Sequence, residues 1–182
     1  SVPLGASGLI YHPYLSNAGV VSPFFHPAAR AQFFGLSVDH TRAHMLRAVY
    51  EGVALSMRDC VTAIPDAVDE WFMAGGGSRS DFWCQMFADC TGKAILVPEG
   101  EEFGARGVAM LAGIATGVYA DVADAAKSVS RVRRRFEPDP RLTERYARLH
   151  DIYKGVHQHL REDWWDRFNM LNEFDKAAAK SA

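Results

Sequence analysis

The pattern of apolar residues changes near Thr41. Residues 8–36 are rich in glycine, proline and aromatic residues with short apolar runs, which predicts irregular structure and short strands. Beyond that point the apolar residues follow the i, i+3, i+4, i+7 spacing of an amphipathic helix. They include Met45, Val49, Val53 and Met57. We expect Asp39 to be the N-cap of this helix, which should end before Pro65.

Two short apolar runs further along predict buried strands. They are EWFMA, residues 70–74, and KAILVP, residues 93–98, each bounded by turn residues. A glycine turn and a helix lie between them, and a second helix, dense in glycine and alanine, covers residues 101–117. This order of strand, helix, strand and helix predicts an α/β fold.

The helix between the two strands has clear end signals. Ser80 or Asp81 is expected to be its N-cap, because a side-chain oxygen there accepts a hydrogen bond from a free backbone N–H. The helix should continue to about Thr91. Gly92 then occupies the position that favours a left-handed C-cap.

The C-terminal third is more polar. It predicts a short helix near residues 121–130, a basic run at 131–140 and one long helix over 141–172. The expected apolar side of the long helix consists of Leu149, Ile152, Tyr153, Val156, Leu160 and Trp164. We assign residues 1–175 to one domain and residues 176–182 to a disordered tail.

Composition excludes several classes of protein. The 182 residues are 48% hydrophobic, which supports a packed core, and the net charge of −2 gives no field that would recruit nucleic acid or an anionic membrane. No apolar run has the length of about 20 residues that spans a bilayer. The three cysteines, Cys60, Cys84 and Cys90, lie in helix-like surroundings and are too few for a disulfide framework, so we expect a cytoplasmic protein.

The stretch FMAGGGSRSDFW, residues 72–83, places three glycines between a strand and a helix. It matches neither the GxxxxGK[ST] phosphate loop nor GxGxxG. Such a turn presents backbone N–H groups at the positive end of a helix and lets a flat or anionic ligand approach closely. The alternative is that the glycines only allow a tight turn. The helix at 102–113 is also rich in small residues, so either a ligand or close packing between the two elements is indicated.

Residues 8–117 together resemble the C-terminal domain of the FGGY carbohydrate kinases. The segment from FMAGGGSRSDFW to EEFGARGVAMLAGIATG is similar to the family's GGG(A/S)xS turn, LADxxG-like helix end and E..ALGAA.LA helix. HPYLSNAGVVSPFFHPAARAQFFGLSVDHTRAHMLRAVYEGVALSMRDC is similar to the block that precedes them. The resemblance is to the pentulose and polyol kinase branch, without a choice between xylulose, L-xylulose, erythritol and glycerol-like substrates.

This resemblance implies a ribonuclease-H-like fold of the actin, hexokinase and Hsp70 type, incomplete at its N-terminal side. It implies an adenosine site for ATP, with Mg²⁺ bound mainly through an N-terminal domain of the same enzyme. The implied nucleotide-binding residues are Gly75, Gly76, Gly77, Ser78, Arg79 and Ser80, with Ser80 reaching the base and Phe82 as a further lining residue. The helix from Glu102 to Ala112 would form the back of the site.

In the resembled family the catalytic aspartate and the phosphate loops precede the matching region. We therefore expect this chain alone to bind ATP without turning over a sugar. The family's SGER run is replaced by SNAG at residues 16–19, and His26 replaces the aspartate before proline, which leaves the substrate open. The alternative is a non-catalytic actin-like module that binds nucleotide.

Other features have less specific readings. His40 and His44 have the i, i+4 spacing of a metal site, but helix entry is the simpler interpretation. Residues 131–135 form a basic strand that could contact the phosphates of a nucleic acid, but in a chain of net negative charge we interpret it as a solvated edge. Arg58 and Asp59 look like surface or interdomain charges. EDWWDRF, residues 162–168, either packs on its own core or joins a second subunit, so a homodimer is possible.

Overall fold

The structure is a computed structural model that describes residues 2–65, 68–129 and 131–181. In chain order the helices are α1 (Arg42–Thr62), α2 (Asp81–Thr91), α3 (Phe103–Ala115), α4 (Val122–Val129), α5 (Pro140–His159) and α6 (Arg161–Ser181). The strands are β1 (Ile10–His12), β2 (Gln32–Phe34), β3 (Glu70–Phe72), β4 (Ala94–Pro98) and β5 (Val132–Phe136). None of the described helices is long and apolar enough to cross a membrane.

The chain divides into two compact units. The first unit comprises residues 1–66 and 141–182, and the second unit comprises residues 67–140. In the first unit β1 and β2 form an antiparallel pair. In the second unit the sheet order is β3-β4-β5, with β3 parallel and β5 antiparallel to β4. The expected short strands, α/β order and strand positions are confirmed.

The side of α1 that faces the core differs from the expectation. Ala48, Gly52 and Leu55 are buried, whereas Met45 and Met57 are exposed. The cause is the close approach of β1. A Cβ on Gly52 would lie 2.2 Å from the carbonyl oxygen of Tyr11, so only a glycine at this position admits the strand. The close approach of β1 therefore shaped this packing: of the four apolar residues named from the periodicity, Met45 and Met57 are exposed, whereas Val49 packs against the core.

The N-terminus of α1 also differs. Its N-cap is Thr41, so the assignment of Asp39 was wrong. The backbone N–H of Thr41 donates to Nδ1 of His44 at 3.2 Å, and the Thr41 hydroxyl lies 2.9 Å from the same nitrogen. His40 Nδ1 accepts a hydrogen bond from the backbone N–H of Ser37 at 2.9 Å. Both histidines thus shape the helix entry. Within the described residues, no group of three or more His, Cys, Asp or Glu side chains is arranged to hold a metal ion.

A buried carboxylate ties the start of the chain to α1 and α5. Glu51 is 2% exposed, and both its oxygens lie 3.1 Å from the backbone N–H of Gly5. The Arg47 guanidinium donates to it at 2.8 Å, and the Tyr146 hydroxyl donates at 3.3 Å. This network satisfies a charge that would otherwise be costly to bury.

A second buried polar group, the histidine cluster, consists of His12, Tyr14, Asp59, His150, Tyr153 and His157. Asp59 is 6% exposed, so its assignment as a surface or interdomain charge was wrong. Its two oxygens lie 3.3 Å from Nε2 of His150 and 3.5 Å from Nε2 of His157. Two imidazoles that are two turns apart on α5 keep this carboxylate inside the first unit.

The expected single helix over 141–172 is in fact two helices, α5 and α6, which meet at Leu160. The buried side of α5 consists of Tyr146, His150, Tyr153 and His157, while Ile152 is exposed. Of the residues expected on the apolar side of α5, Tyr153 is buried and Ile152 is exposed, because aromatic and imidazole rings rather than aliphatic residues fill this part of the core. In α6, Trp164 is buried as expected. Helix α6 continues to Ser181 through the segment we expected to be disordered, in keeping with the high helix propensity of its Ala and Lys residues.

The second unit follows the sequence pattern closely. Ser80 is the N-cap of α2, and its hydroxyl accepts from the backbone N–H of Trp83. Gly92 is the left-handed C-cap of α2, as expected. The basic run forms β5. Helix α4 is also confirmed, although its expected last residue, Ser130, lies outside the described residues.

Candidate nucleotide site

A cavity of about 340 Å³ lies in the second unit, between the glycine turn that follows β3 and the N-terminus of α3; we call it the glycine-turn cavity. Four parts of the unit form its wall: the glycine turn, the end of β4 with the loop that follows, the start of α3, and β5. The lining residues are Gly75, Gly76, Ser78, Arg79, Val97, Pro98, Gly100, Glu101, Glu102, Phe103, Gly104, Ala105, Arg133 and Arg134.

The three glycines of the turn have different surroundings. Gly75 has φ 78° and ψ −164°, a conformation that glycine adopts without strain. A Cβ on Gly75 or Gly76 would meet no atom within 4 Å, so each leaves open space. A Cβ on Gly77 would lie 3.0 Å from Met73 and 3.5 Å from the Trp83 ring. Gly77 therefore serves close packing, whereas Gly75 and Gly76 expose backbone towards the cavity.

Two residues brace the turn from inside. Ser78 is 5% exposed, and its hydroxyl donates to the Gly75 carbonyl at 2.7 Å. The Arg134 guanidinium donates to the Ser78 carbonyl and forms an ion pair with Asp81. A guanidinium that holds a carbonyl of the turn and the first residue of α2 fixes the turn against the helix N-terminus.

Some of the site residues predicted from the sequence line the cavity, and others do not. Gly75, Gly76, Ser78 and Arg79 line the cavity. Gly77 and Ser80 do not line it, because Gly77 packs inward and the Ser80 hydroxyl is engaged as a helix cap. Phe82 is 52% exposed and lies outside the lining as well. The contact of Ser80 with a base stays a prediction.

The opposite wall is the start of α3. Glu102, its N-cap, has φ 53° and ψ 48°, the left-handed region that a non-glycine side chain rarely adopts. Such a residue stores roughly 1 kcal/mol or more of strain, and strain of this kind concentrates at ligand sites. Gly104 follows, where an added Cβ would again meet nothing within 4 Å. The expectation that this helix forms part of the same site as the glycine turn agrees with the cavity lining.

The electrostatics of the cavity favour an anion. Its lining includes Arg79, Arg133 and Arg134 against Glu101 and Glu102. The turn leads into the N-terminus of α2, and the opposite wall is the N-terminus of α3, so the positive ends of two helix dipoles add to the cationic excess. A ligand that carries both a flat ring and negative charge matches these walls.

Sequence reasoning missed the contribution of β5. Arg133 and Arg134 line the cavity because β5 pairs with β4 antiparallel, with Val97 opposite Arg134. The basic run itself was the available signal. Its relevance to the glycine turn depended on the strand register, which the local pattern does not contain.

Comparisons with known proteins identify the family of this chain. The sequence model of the FGGY family of carbohydrate kinases, C-terminal domain, matches residues 1–116. Xylulose kinase of Bacillus subtilis is 32% identical over 165 residues, which cover 89% of this chain and 33% of the relative. Erythritol kinase of Brucella abortus is 33% identical over 158 residues, covering 86% of this chain and 30% of the relative.

Comparison with solved structures identifies the same family of sugar kinases. A ligand-bound xylulose kinase from Lactobacillus acidophilus superposes with a TM-score of 0.81 at 25% identity, over 91% of this chain and 34% of that structure. The chain spans about one third of the length of these relatives. Its fold is that of the C-terminal, actin-like domain of the sugar kinases. The chain belongs to the FGGY family of carbohydrate kinases, in which it corresponds to the C-terminal domain.

Proposed function

We propose that this chain supplies the adenosine-binding side of the nucleotide cleft of an ATP-dependent kinase that phosphorylates a sugar or polyol hydroxyl. One observation carries the proposal: the open backbone at Gly75 and Gly76 faces the glycine-turn cavity opposite Gly104. A purine and ribose need flat, unobstructed walls, and these positions leave the space that a side chain would fill.

The residues present fit the nucleotide. The N-termini of α2 and α3 and the cavity arginines suit an α-phosphate, while Val97, Pro98 and Phe103 offer apolar contact to a ring. When bound, the nucleotide supplies the transferable γ-phosphoryl group. The chain's own residues bind and orient its adenosine end. We place Mg²⁺ on the phosphates and assign its protein ligands, together with the catalytic base, to an N-terminal domain.

The acceptor is a pentulose or a small polyol. Support comes from the names of the relatives, which include a xylulose kinase and an erythritol kinase at nearly equal identity. Nothing in the glycine-turn cavity selects between these acceptors, because it holds the donor. We expect the enzyme to act in the cytoplasm, where ATP is abundant and where free thiols such as Cys60, Cys84 and Cys90 stay reduced.

The test is an ADP-release assay of the full gene product against pentuloses, hexuloses and polyols, together with ADP titrations of the same protein. Phosphorylation of one acceptor class supports the proposal. Nucleotide binding without turnover of any acceptor would instead indicate a non-catalytic actin-like module.

Gly76→Val tests the donor site itself. The variant backbone is tolerated because Gly76 is not in the left-handed region and has free space around it, so the fold should persist. We expect ADP affinity to fall by roughly tenfold or more, about 1.4 kcal/mol or more. Gly155→Val, on α5, is the matched control, since its Cβ also meets nothing within 4 Å and it lies outside the cavity. Equal ADP affinity in both variants would refute the site.

A further inference from the structure

Phe103 is the one aromatic residue that lines the glycine-turn cavity, among the residues that the structure describes. It is the first residue of α3, directly after the strained Glu102, and its side chain is half-buried. An aromatic ring is flat and apolar on both faces, so the base of a nucleotide can stack on it. Of the side chains in the lining, Phe103 is therefore the one best suited to recognise a base.

A guanidinium supports the Phe103 ring. Cζ of Arg106 lies 5.4 Å from the ring centroid, within the range of a cation–π contact. Arg106 stands about one helical turn after Phe103 on α3, and in the described part of the chain it is not among the residues that line the cavity. The guanidinium thus covers a part of the ring that does not face the cavity, and the cavity side of the ring stays open.

The loop between β4 and α3 holds this guanidinium in place. Nη1 of Arg106 donates to the carbonyl oxygen of Glu99 at 2.9 Å. A Cβ on Gly100 would lie 1.9 Å from Nη2 of Arg106, so a larger residue there would displace the guanidinium. Gly100 also has φ 100°, which glycine adopts without strain. The loop is therefore shaped around Arg106, and through Arg106 it fixes the position of the Phe103 ring.

The opposite wall of the cavity is bare backbone. An added Cβ on Gly75 or Gly76 would meet no atom within 4 Å, so these residues leave room for a flat ring between the glycine turn and Phe103. Dispersion attraction grows with the number of atoms in contact. A two-ring purine therefore gains more from stacking on Phe103 than a one-ring pyrimidine does.

We propose that Phe103 is the base-stacking residue of the glycine-turn cavity, that Arg106 is its positioning residue, and that the pair favours purine over pyrimidine nucleotides. This inference rests on the proposed function, because it requires a nucleotide in the cavity. It adds the two side chains that select the base, one of which lies outside the lining.

Titrations of the full gene product with ADP and with CDP test the stacking, because these ligands share the ribose and the diphosphate and differ only in the base. Wild type should bind ADP about tenfold more tightly than CDP. Phe103→Leu keeps an apolar side chain at the start of α3 and should bring the two affinities to within about threefold, chiefly by weakening ADP. Phe174→Leu is the matched control, because Phe174 is 61% exposed and lies on α6. It should leave both affinities unchanged.

Two variants test Arg106. Arg106→Met removes the cation and should lower the preference for ADP over CDP about threefold. Arg106→Lys keeps a cation that can lie over the ring, so it should retain most of the preference. A purely structural role of Arg106 would instead weaken both nucleotides equally. Arg148→Met, at an exposed position of α5, is the matched control and should change neither affinity.

Phe103→Trp reports the stacking by fluorescence. A base that stacks on an indole quenches its emission, so ADP should quench the emission of the added tryptophan in a saturable way. Wild type, with its four native tryptophans, gives the background. No quenching beyond that background would contradict the stacking.

Two further results overturn the proposal. The first is a preference for ADP over CDP that Phe103→Leu leaves unchanged. The second is an equal loss of ADP and CDP affinity in Arg106→Met. Either result leaves the proposed function standing as long as Gly76→Val still weakens ADP. Absence of ADP binding, or ADP binding that Gly76→Val does not weaken, would overturn the proposed function and this inference together.

Discussion

The histidine cluster of the first unit and the glycine-turn cavity of the second unit both gather polar groups, but they treat them in opposite ways. In the cluster, buried polar side chains lie against one another. His12 stacks on the Tyr153 ring at 4.2 Å, and the Tyr14 and Tyr153 hydroxyls lie 3.0 Å apart. In the cavity, Gly75 and Gly76 leave backbone uncovered and Glu102 is strained.

This difference indicates that the histidine cluster contributes to stability and the glycine-turn cavity to ligand binding. A polar group that is satisfied within the chain stabilises the fold, and losing its partner costs the desolvation of what remains. A backbone group left open in a cavity contributes little to the fold and is available to a ligand. Changes in the cluster should therefore affect unfolding, and changes in the cavity should affect nucleotide binding.

The largest expected effect is that of Asp59→Ala. Burial alone would raise the pKa of Asp59, but the nearby His150 and His157 outweigh it and hold the pKa well below its usual range. Removal of the carboxylate takes away the opposite charge that both buried imidazoles face, so the free energy of unfolding should fall by about 3 kcal/mol. Urea denaturation measures this loss. ADP affinity of the folded protein should stay unchanged.

Asp151→Ala is the matched control for that experiment. Asp151 lies beside His150 on α5 but is exposed, so its loss should change the free energy of unfolding by less than about 0.5 kcal/mol. Similar effects of the two variants would break the contrast between the cluster and the surface.

Acidification should have the next largest effect, a loss of the stability that the histidine cluster contributes. Burial lowers the pKa of His12 to about 4, against the opposing effect of its 3.0 Å hydrogen bond to the Tyr153 carbonyl. Because the folded pKa lies below the unfolded value of about 6.5, the stabilisation is complete above that pH. This stabilisation is lost progressively as the pH falls towards 4, and the complete loss amounts to about 3 kcal/mol in the free energy of unfolding.

The measurement is the free energy of unfolding from pH 7.5 to 4.5 for wild type and His12→Gln. Wild type should lose stability steadily below pH 6.5, and the variant should start less stable but show a shallower slope. A slope equal to that of wild type would show that His12 is not the titrating group.

Arg134→Met tests the glycine-turn cavity. The change removes the donor to the Ser78 carbonyl and the ion pair with Asp81, while the apolar methionine side chain still fills the space of the arginine stem. We expect a loss of about 1 kcal/mol in stability and a several-fold loss in ADP affinity. Arg133→Met, which removes a cavity charge without a bond to the turn, should reduce the affinity but leave stability unchanged. Isothermal titration calorimetry and urea denaturation separate the two effects.

The smallest expected effect belongs to Glu102→Gly. Glycine relieves the left-handed strain, so stability should rise by up to about 1 kcal/mol. Glu101→Gly removes the same charge from a residue that is outside the left-handed region, and it should not stabilise. Both variants should bind ADP slightly more tightly through loss of a carboxylate. Equal melting temperatures of the two variants would contradict the strain at Glu102.

Local signals were sufficient for the helix caps of the second unit and insufficient for the packing of the first unit. Ser80 and Gly92 were identified from their positions because a cap is a contact between near neighbours. The orientation of α1 depended on the carbonyl of Tyr11 against Gly52, residues that are distant in sequence. There is no glycine or proline at the break between α5 and α6 at Leu160, so the sequence pattern predicted one continuous helix.

The candidate site shows the same limit. The glycine turn was recognisable from sequence, and the structure brings four of its six predicted residues to the cavity. Arg133 and Arg134 were not identified because their place depends on the register of β5 against β4. His12, Asp59 and His157 meet only after distant segments fold together, although the spacing of His150, Tyr153 and His157 along α5 was a signal of one ring-lined side.

The most direct test is a titration of the glycine-¹⁵N-labelled chain with ADP, followed by the backbone amide signals. Our account predicts that the amides of Gly75, Gly76 and Gly104 shift in a saturable way, while those of Gly52 and Gly155 stay in place. Saturable shifts confined to the first unit, or ADP binding that leaves Gly75 and Gly76 unmoved, would contradict it.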